Sequence, residues 1–159
     1  MLRSLATLFA FVALLSSTSA ASAQDPDGEA WNNMRWVGGQ SEARESVQSH
    51  IPGEGAVRTG VRGCTGYFSG EGPSVALNYT PSHEGATLYV NTGHEMIPTM
   101  LLIHGPDGKW RCSHDSGTGQ RPQLEMRAGA GRYAIFVGSM IQLSGAGASP
   151  YVWVGEQPR

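Results

Sequence analysis

The chain has 159 residues and a formal net charge of −2, with 11 Lys and Arg against 13 Asp and Glu. This mild acidic balance, with basic residues scattered along the chain, excludes the basic patch that a nucleic-acid-binding protein needs. A chain of this length corresponds to one domain, which can bury a core but is small enough to benefit from a covalent cross-link.

Residues 1–23 have the pattern of a cleavable signal peptide. Arg3 precedes an apolar run from Leu5 to Leu15, and small residues lead to cleavage after Ala23 or, as second choice, Ala20. A positive start, a short apolar stretch and an Ala-x-Ala end are typical of secretory signals. The run is shorter than the ~20 residues of a transmembrane helix. We therefore expect an exported protein, periplasmic or extracellular, with no membrane insertion.

Residues 24–58 form a second segment with a different composition. The segment is polar and rich in turn residues, and its apolar side chains are sparse. Such a sequence buries little apolar surface, so we expect a loosely ordered arm or linker. The exceptions are Trp31, Met34, Trp36 and Val37. An aromatic side chain gains most by covering apolar surface, either on the arm's own domain or on a partner.

Residues 59–159 carry the pattern of an all-β domain. Apolar and polar residues alternate over short runs, and period two is the signature of strands with one buried face. No amphipathic helix of useful length appears here. The predicted strands, about eight in number, lie near residues 63–69, 74–79, 86–92, 99–104, 109–113, 122–127, 132–138 and 150–155.

Turn residues separate these strands. Pro106-Asp107-Gly108-Lys109 predicts a tight hairpin, because Asp-Gly tolerates the positive φ that such turns require. Ala128-Gly129-Ala130-Gly131 predicts another turn. Strands spaced about 8–12 residues apart favour a sandwich or barrel over parallel βαβ units.

Cys64 and Cys112 are the two cysteines of the chain. An even count in an exported protein predicts one disulfide, here between the first and fifth predicted strands. The alternative is a cysteine-based metal site, but the sequence lacks the close Cys-x-x-Cys pair that zinc usually takes.

Five short motifs across residues 62–156 carry a family resemblance. In order they are Cys64-Thr65-Gly66-Tyr67, Val75-Ala76-Leu77-Asn78-Tyr79, Leu88-Tyr89-Val90, Gly105-Pro106-Asp107-Gly108-Lys109-Trp110-Arg111-Cys112 and Gly131-Arg132-Tyr133-Ala134-Ile135-Phe136-Val137-Gly138. This order resembles the bacterial pre-peptidase C-terminal-like domains, in particular their small exported versions. The resemblance implies an antiparallel, jelly-roll-like β-sandwich. It also implies an accessory role, often beside secreted peptidases, and in some members the binding of calcium or extracellular polymers.

Asp115-Ser116-Gly117 is the one motif that could indicate catalysis. Trypsin-type peptidases carry Asp-Ser-Gly around the nucleophile, but a nucleophilic serine also needs a base histidine and an oxyanion hole. His114 is the sequence neighbour, and neighbouring side chains in a strand point apart. A trypsin-like fold also needs more chain than this. We therefore expect no enzyme, and a polar loop at this motif.

A metal site is the alternative function. His104 and His114 flank the predicted hairpin, and Asp107 and Asp115 lie close by in sequence. Histidine and carboxylate ligands suit zinc, whereas calcium takes 6–8 oxygen ligands, usually with several carboxylates. The metal candidates are therefore Asp107, His114 and Asp115, with no cofactor as the simpler expectation and calcium or zinc as the alternative.

A binding surface is the preferred functional hypothesis. Alternation places five aromatic side chains opposite the assigned core sides of their strands. A sandwich exposes one face of each sheet, so some of them could form an exposed aromatic surface for a protein or polysaccharide partner. The five are Tyr67, Tyr89, Phe136, Tyr151 and Trp153. The alternatives are that the face of one strand is wrongly assigned, or that the N-terminal arm with Trp31 and Trp36 covers the surface.

Overall fold

A computed structural model describes residues 24–39, 44–114 and 121–156 of the protein. Within these residues the chain forms eleven strands and no helix. None of these residues belongs to a helix that could span a membrane. The predicted signal peptide, residues 1–23, lies outside the described residues. In chain order the strands are β1 (Asn32–Val37), β2 (Arg44–Gln48), β3 (Val57–Arg58), β4 (Tyr67–Phe68), β5 (Val75–Thr80), β6 (Thr87–Gly93), β7 (Thr99–His104), β8 (Trp110–His114), β9 (Gln123–Arg127), β10 (Gly131–Ser139) and β11 (Tyr151–Glu156).

The strands form two sheets, and the all-β sandwich expected from the sequence is confirmed. One sheet has seven strands, with β1, β5, β10, β4 and β3 paired in that order, β7 on β10 and β8 on β7. The other has four strands in the order β2, β11, β6, β9. All pairs are antiparallel except β1 with β5, which is parallel. Strands β4 to β11 occupy the positions of the strands that alternation predicted.

The main core lies between the two sheets. Most strands contribute alternate side chains to it, as in β6, where Leu88 and Val90 are fully buried and Tyr89 between them is not. Burial of this apolar surface is the main stabilising term of such a domain. The larger members of the core are Met34, Trp36, Ile51, Val75, Leu77, Tyr79, Leu88, Val90, Leu101, Ile103, Met126, Tyr133, Ile135, Val137, Val152 and Val154.

A second apolar cluster involves the other face of β7 and β10. Phe68, Met100, Leu102 and Phe136 are buried there, with Cys64 and Cys112 packed beside them. Strands β7 and β10 are therefore covered on both faces. This explains why β7 is a continuous apolar run, as is usual for strands buried on both sides.

The disulfide predicted from the cysteine count is present. Cys64 and Cys112 are bonded, with their Cα atoms 6.0 Å apart. Cys112 lies on β8 as expected, but Cys64 precedes β4 and lies in a turn, where its amide donates to the Val61 carbonyl at 3.1 Å. The bond thus attaches the chain before β4 to the hairpin of β7 and β8.

Residues 24–58 form more strand pairs than we expected of a loosely ordered arm. Their described parts contain β1, β2 and β3, which are hydrogen-bonded to β5, β11 and β4 respectively. Met34 and Trp36 alternate inward on β1, and the Trp36 ring stacks on Tyr79 with centroids 5.6 Å apart. Few apolar residues suffice here, because an edge strand obtains much of its stability from hydrogen bonds to a sheet that already exists.

Candidate functional site

Three of the five predicted aromatic residues share one exposed surface. Tyr151 and Trp153 lie on β11, and Tyr89 lies on the neighbouring β6. Their neighbours Val152, Val154 and Leu88 are fully buried, so the three rings stand on the outer side of the four-stranded sheet. We call this surface, with Arg44, Asn91, Arg121 and Gln123, the aromatic face.

Two arginines cover the rings of the aromatic face. The guanidinium of Arg121 lies 5.5 Å from the centre of the Trp153 ring, and that of Arg44 lies 5.0 Å from the centre of the Tyr89 ring. The Tyr151 and Trp153 ring centres are 6.0 Å apart. Such contacts between a cation and a ring hold a guanidinium in place while leaving its N–H groups available.

Hydrogen bonds fix Tyr89 on this face. Its hydroxyl donates to Gln123 Oε1 at 3.0 Å and accepts from Asn91 Nδ2 at 2.8 Å. Asn91 Oδ1 is buried and has no partner among the described residues. A buried amide oxygen without a donor is uncommon.

Neither the Arg44 guanidinium nor that of Arg121 forms an ion pair with a carboxylate of the described residues. Arg121 also packs close to Gly93, where an added Cβ would approach its side chain to 2.7 Å. Sequence reasoning missed both arginines. Arg44 lies in a segment without a clear strand pattern, and its place beside Tyr89 depends on the register of β2, β11 and β6.

The other two predicted aromatic residues do not belong to this face. Phe136 is fully buried in the second apolar cluster, so its assignment to an exposed surface was wrong. The reason is that β10 has no solvent-facing side along Tyr133–Ser139. Tyr67 is half-buried on β4 of the seven-stranded sheet, paired with Arg58 and Ser139.

The candidate metal ligands are not brought together in the described structure. His104 lies opposite Trp110 at the turn end of the hairpin, whereas His114 lies opposite Met100. The two histidines therefore lie four residues apart along the length of the hairpin, a distance of about 13 Å. Asp115 lies outside the described residues, as does the rest of the Asp115-Ser116-Gly117 motif. The described residues contain no group of three or more His, Cys, Asp or Glu side chains that could hold a metal ion.

Asp107 is engaged within the hairpin. Its carboxylate pairs with Arg111, with Nη2 and Oδ2 2.6 Å apart, and accepts from the Lys109 amide at 3.2 Å. The hydrogen bond from Arg111 is the main reason why the pKa of Asp107 is lowered to about 2. Gly108, with φ of 71°, allows the tight turn.

A second ionisable pair joins the two sheets. The Tyr79 hydroxyl on β5 donates to the Glu156 carboxylate on β11, which also accepts from the Ser82 amide at 2.9 Å. Burial and the nearby carboxylate raise the pKa of Tyr79. Burial acts to raise the pKa of Glu156, but the hydrogen bonds from Ser82 and Tyr79 outweigh it and keep this pKa below its usual value. The pair therefore has a structural role, since it joins the ends of β5 and β11.

Comparison with known proteins gives no relative from which residue roles could be transferred: no family model and no curated protein matches the chain. The function must therefore be argued from the geometry of the site itself.

Proposed function

We propose that the protein is a non-catalytic, exported binding module that holds an acidic polysaccharide on its aromatic face. The supporting observation is the grouping of three aromatic rings and two guanidinium groups without carboxylate partners among the described residues, on one exposed sheet surface. Aromatic and arginine side chains are the residues most enriched at binding surfaces. Exposed together, they indicate a site of interaction more than ordinary surface.

The aromatic rings favour a sugar polymer. One face of a pyranose ring presents C–H groups, which pack on an aromatic ring, while its hydroxyls need hydrogen-bond partners at the rim. Tyr151 is 49% exposed, so its ring is accessible to such packing. The amides of Asn91 and Gln123 lie beside Tyr89 and supply polar groups of the required kind.

The two arginines favour a polymer that carries carboxylates. A guanidinium pairs with a carboxylate through two parallel hydrogen bonds, which are stronger than those between neutral groups. Arg44 lies on β2 at one edge of the four-stranded sheet, and Arg121 lies just before β9 at the other edge. A chain lying across the aromatic face could engage both, so acidic sugars along a polymer match the spacing of the cations better than a single anion.

The predicted export of the protein fits this proposal. The signal-peptide pattern and the Cys64–Cys112 disulfide are both expected of a protein that works outside the cytoplasm. Polysaccharides are abundant there. The resemblance to accessory β-sandwich domains points to the same role, which is to hold a polymer and not to cleave it.

A pair of matched polymers tests the proposal. Binding of polygalacturonate and of its fully methyl-esterified form is measured by calorimetry with the oxidised, processed protein. We expect the acid form to bind more tightly. Trp153→Ala should weaken binding by about tenfold or more, as expected for loss of a central aromatic contact. The double variant Arg44→Gln/Arg121→Gln should remove the preference for the acid form.

Trp31→Ala is the matched control, because Trp31 is exposed but does not belong to the aromatic face. Its binding of polygalacturonate should equal that of the unmodified protein. Equal binding of both polymers would disprove the preference for acidic sugars but would still support polysaccharide binding. Binding that survives Trp153→Ala, or no binding of any polysaccharide in a broad panel, would contradict the proposed site and direct attention to a protein partner.

A further inference from the structure

A groove lies between three segments that are distant in sequence. It is formed by residues 29–31 before β1, residues 50–57 up to the start of β3, and the turn 69–74 between β4 and β5. Its volume is about 720 Å³. Cavities of about 300–1,000 Å³ are the usual size of sites for small ligands or short peptide segments. The groove is therefore large enough to hold a ligand.

An exposed tryptophan forms part of the groove. Trp31 is 60% exposed, and its ring stacks on His50 with centroids 4.6 Å apart and planes 19° apart. The histidine supports one face of the indole, and most of the remaining surface faces solvent. Burial lowers the pKa of His50, which favours the neutral form of this imidazole in the groove. An indole held in this way is a ready surface for a cation.

The walls of the groove are tied to one another. The Trp31 amide donates to the Pro73 carbonyl at 3.0 Å, and Ser74 Oγ donates to the His50 carbonyl at 2.8 Å. Ser74 Oγ in turn accepts from the Val137 amide of β10 at 3.0 Å. The groove is thus anchored to the seven-stranded sheet, and a ligand would meet a surface that is already formed.

The described charged residues that line the groove are all acidic. Glu29, Glu54 and Glu71 line it and are exposed, each on a different segment. No lysine or arginine is among the described residues that line it. The groove is therefore complementary to a cation, and it differs from the aromatic face, where two guanidinium groups lie over the rings.

We propose that this groove binds an arginine-bearing, extended segment of a partner protein. A guanidinium stacks flat on an indole and pairs through two hydrogen bonds with a carboxylate, whereas an ammonium group does neither as well. Carboxylates on three separate segments match a ligand that extends along the groove better than one compact cation. The proposal is independent of the polysaccharide site, because the two surfaces share no residue.

A short peptide with two arginines in a glycine and serine background is the probe. Its partner is the same peptide with both arginines replaced by citrulline, an uncharged group of the same shape. Binding to the whole processed protein is followed by calorimetry and by tryptophan fluorescence. We expect the arginine peptide to bind at least about tenfold more tightly, with Trp31→Ala and Glu54→Gln/Glu71→Gln each removing most of that difference.

Two control variants separate this site from general attraction to an acidic surface. Glu84→Gln/Glu95→Gln removes the same charge from exposed positions outside the groove, and Trp153→Ala removes an aromatic ring of the other surface. Both should bind the arginine peptide as the unmodified protein does, and melting curves check that every variant is folded. Equal weakening by the two glutamate pairs, equal binding of the citrulline peptide, binding of free arginine as tight as that of the peptide, or no binding would each overturn the proposal.

Discussion

A side chain that points away from the main core is not necessarily exposed to solvent. Tyr89 and Phe136 both fall on the side of their strands opposite the main core. Tyr89 stands on the aromatic face, yet Phe136 is fully buried because the chain before β4 covers that part of the seven-stranded sheet. Alternation gives the direction of each side chain reliably, but it carries no information about a segment that folds over it.

The Asp107–Arg111 pair gives a prediction about pH at the scale of single residues. In Arg111→Gln the pKa of Asp107 should rise from about 2 towards the ordinary value of about 3.9, because its main hydrogen-bond donor is lost. A carboxylate with a lowered pKa stabilises the fold above its unfolded pKa, and that contribution disappears as the pH falls through the folded pKa. NMR titration of the Asp107 carboxyl measures the change directly.

The difference in unfolding free energy between Arg111→Gln and the unmodified protein should follow the same titration. It should be constant at neutral pH and shrink between about pH 4 and pH 2. Since both side chains are partly exposed, we expect no more than about 1 kcal/mol. Arg127→Gln, an exposed arginine of β9, is the control. An unchanged Asp107 pKa in Arg111→Gln would contradict the assignment.

At the scale of elements, local patterns predict strands and turns well. The hairpin at Pro106-Asp107-Gly108-Lys109 formed where its turn residues indicated, and β4 to β11 followed the alternation. Each such signal is contained within a few residues, so it can be recognised without knowledge of the rest of the fold. The chain before β4 is different, since its place over β7, β8 and β10 depends on the disulfide and on the second apolar cluster.

Removal of the disulfide tests how far that segment depends on it. Cys64→Ala/Cys112→Ala opens a loop with a sequence separation of 48 residues. The chain-entropy model gives a loss of about 4 kcal/mol, which should lower Tm by roughly 10–20 °C. Calorimetric melts of the oxidised, reduced and double-variant proteins supply the comparison. Reduced and variant proteins should melt alike, and a Tm within a few degrees of the oxidised protein would show that packing alone holds the segment.

At the scale of the whole molecule, the segment expected as an arm completes both sheets. β1 closes one edge of the seven-stranded sheet and β2 closes one edge of the four-stranded sheet. The same segment supplies Arg44 to the aromatic face and Trp31 to the groove. Both proposed sites therefore depend on chain that the composition alone would classify as a linker.

Two tryptophans of this segment provide a matched test. Trp36 is 2% exposed in the core and Trp31 is 60% exposed. Trp36→Ala should cost about 3–5 kcal/mol of unfolding free energy, and Trp31→Ala, which loses one stacking contact, less than about 1.5 kcal/mol. Urea denaturation of both variants measures the difference. Equal and small losses would indicate that β1 is not part of the stable fold.

The sequence by itself determined the all-β class, the positions of β4 to β11, the tight hairpin and the disulfide, because each is signalled by nearby residues or by the cysteine count. The tertiary structure decided the rest. It placed Arg44 beside Tyr89 and Arg121 beside Trp153, buried Phe136, separated His104 from His114, and formed the groove from three distant segments. Pairing between strands joins residues far apart in the chain, so these neighbours are fixed by the register of whole sheets and not by any local pattern.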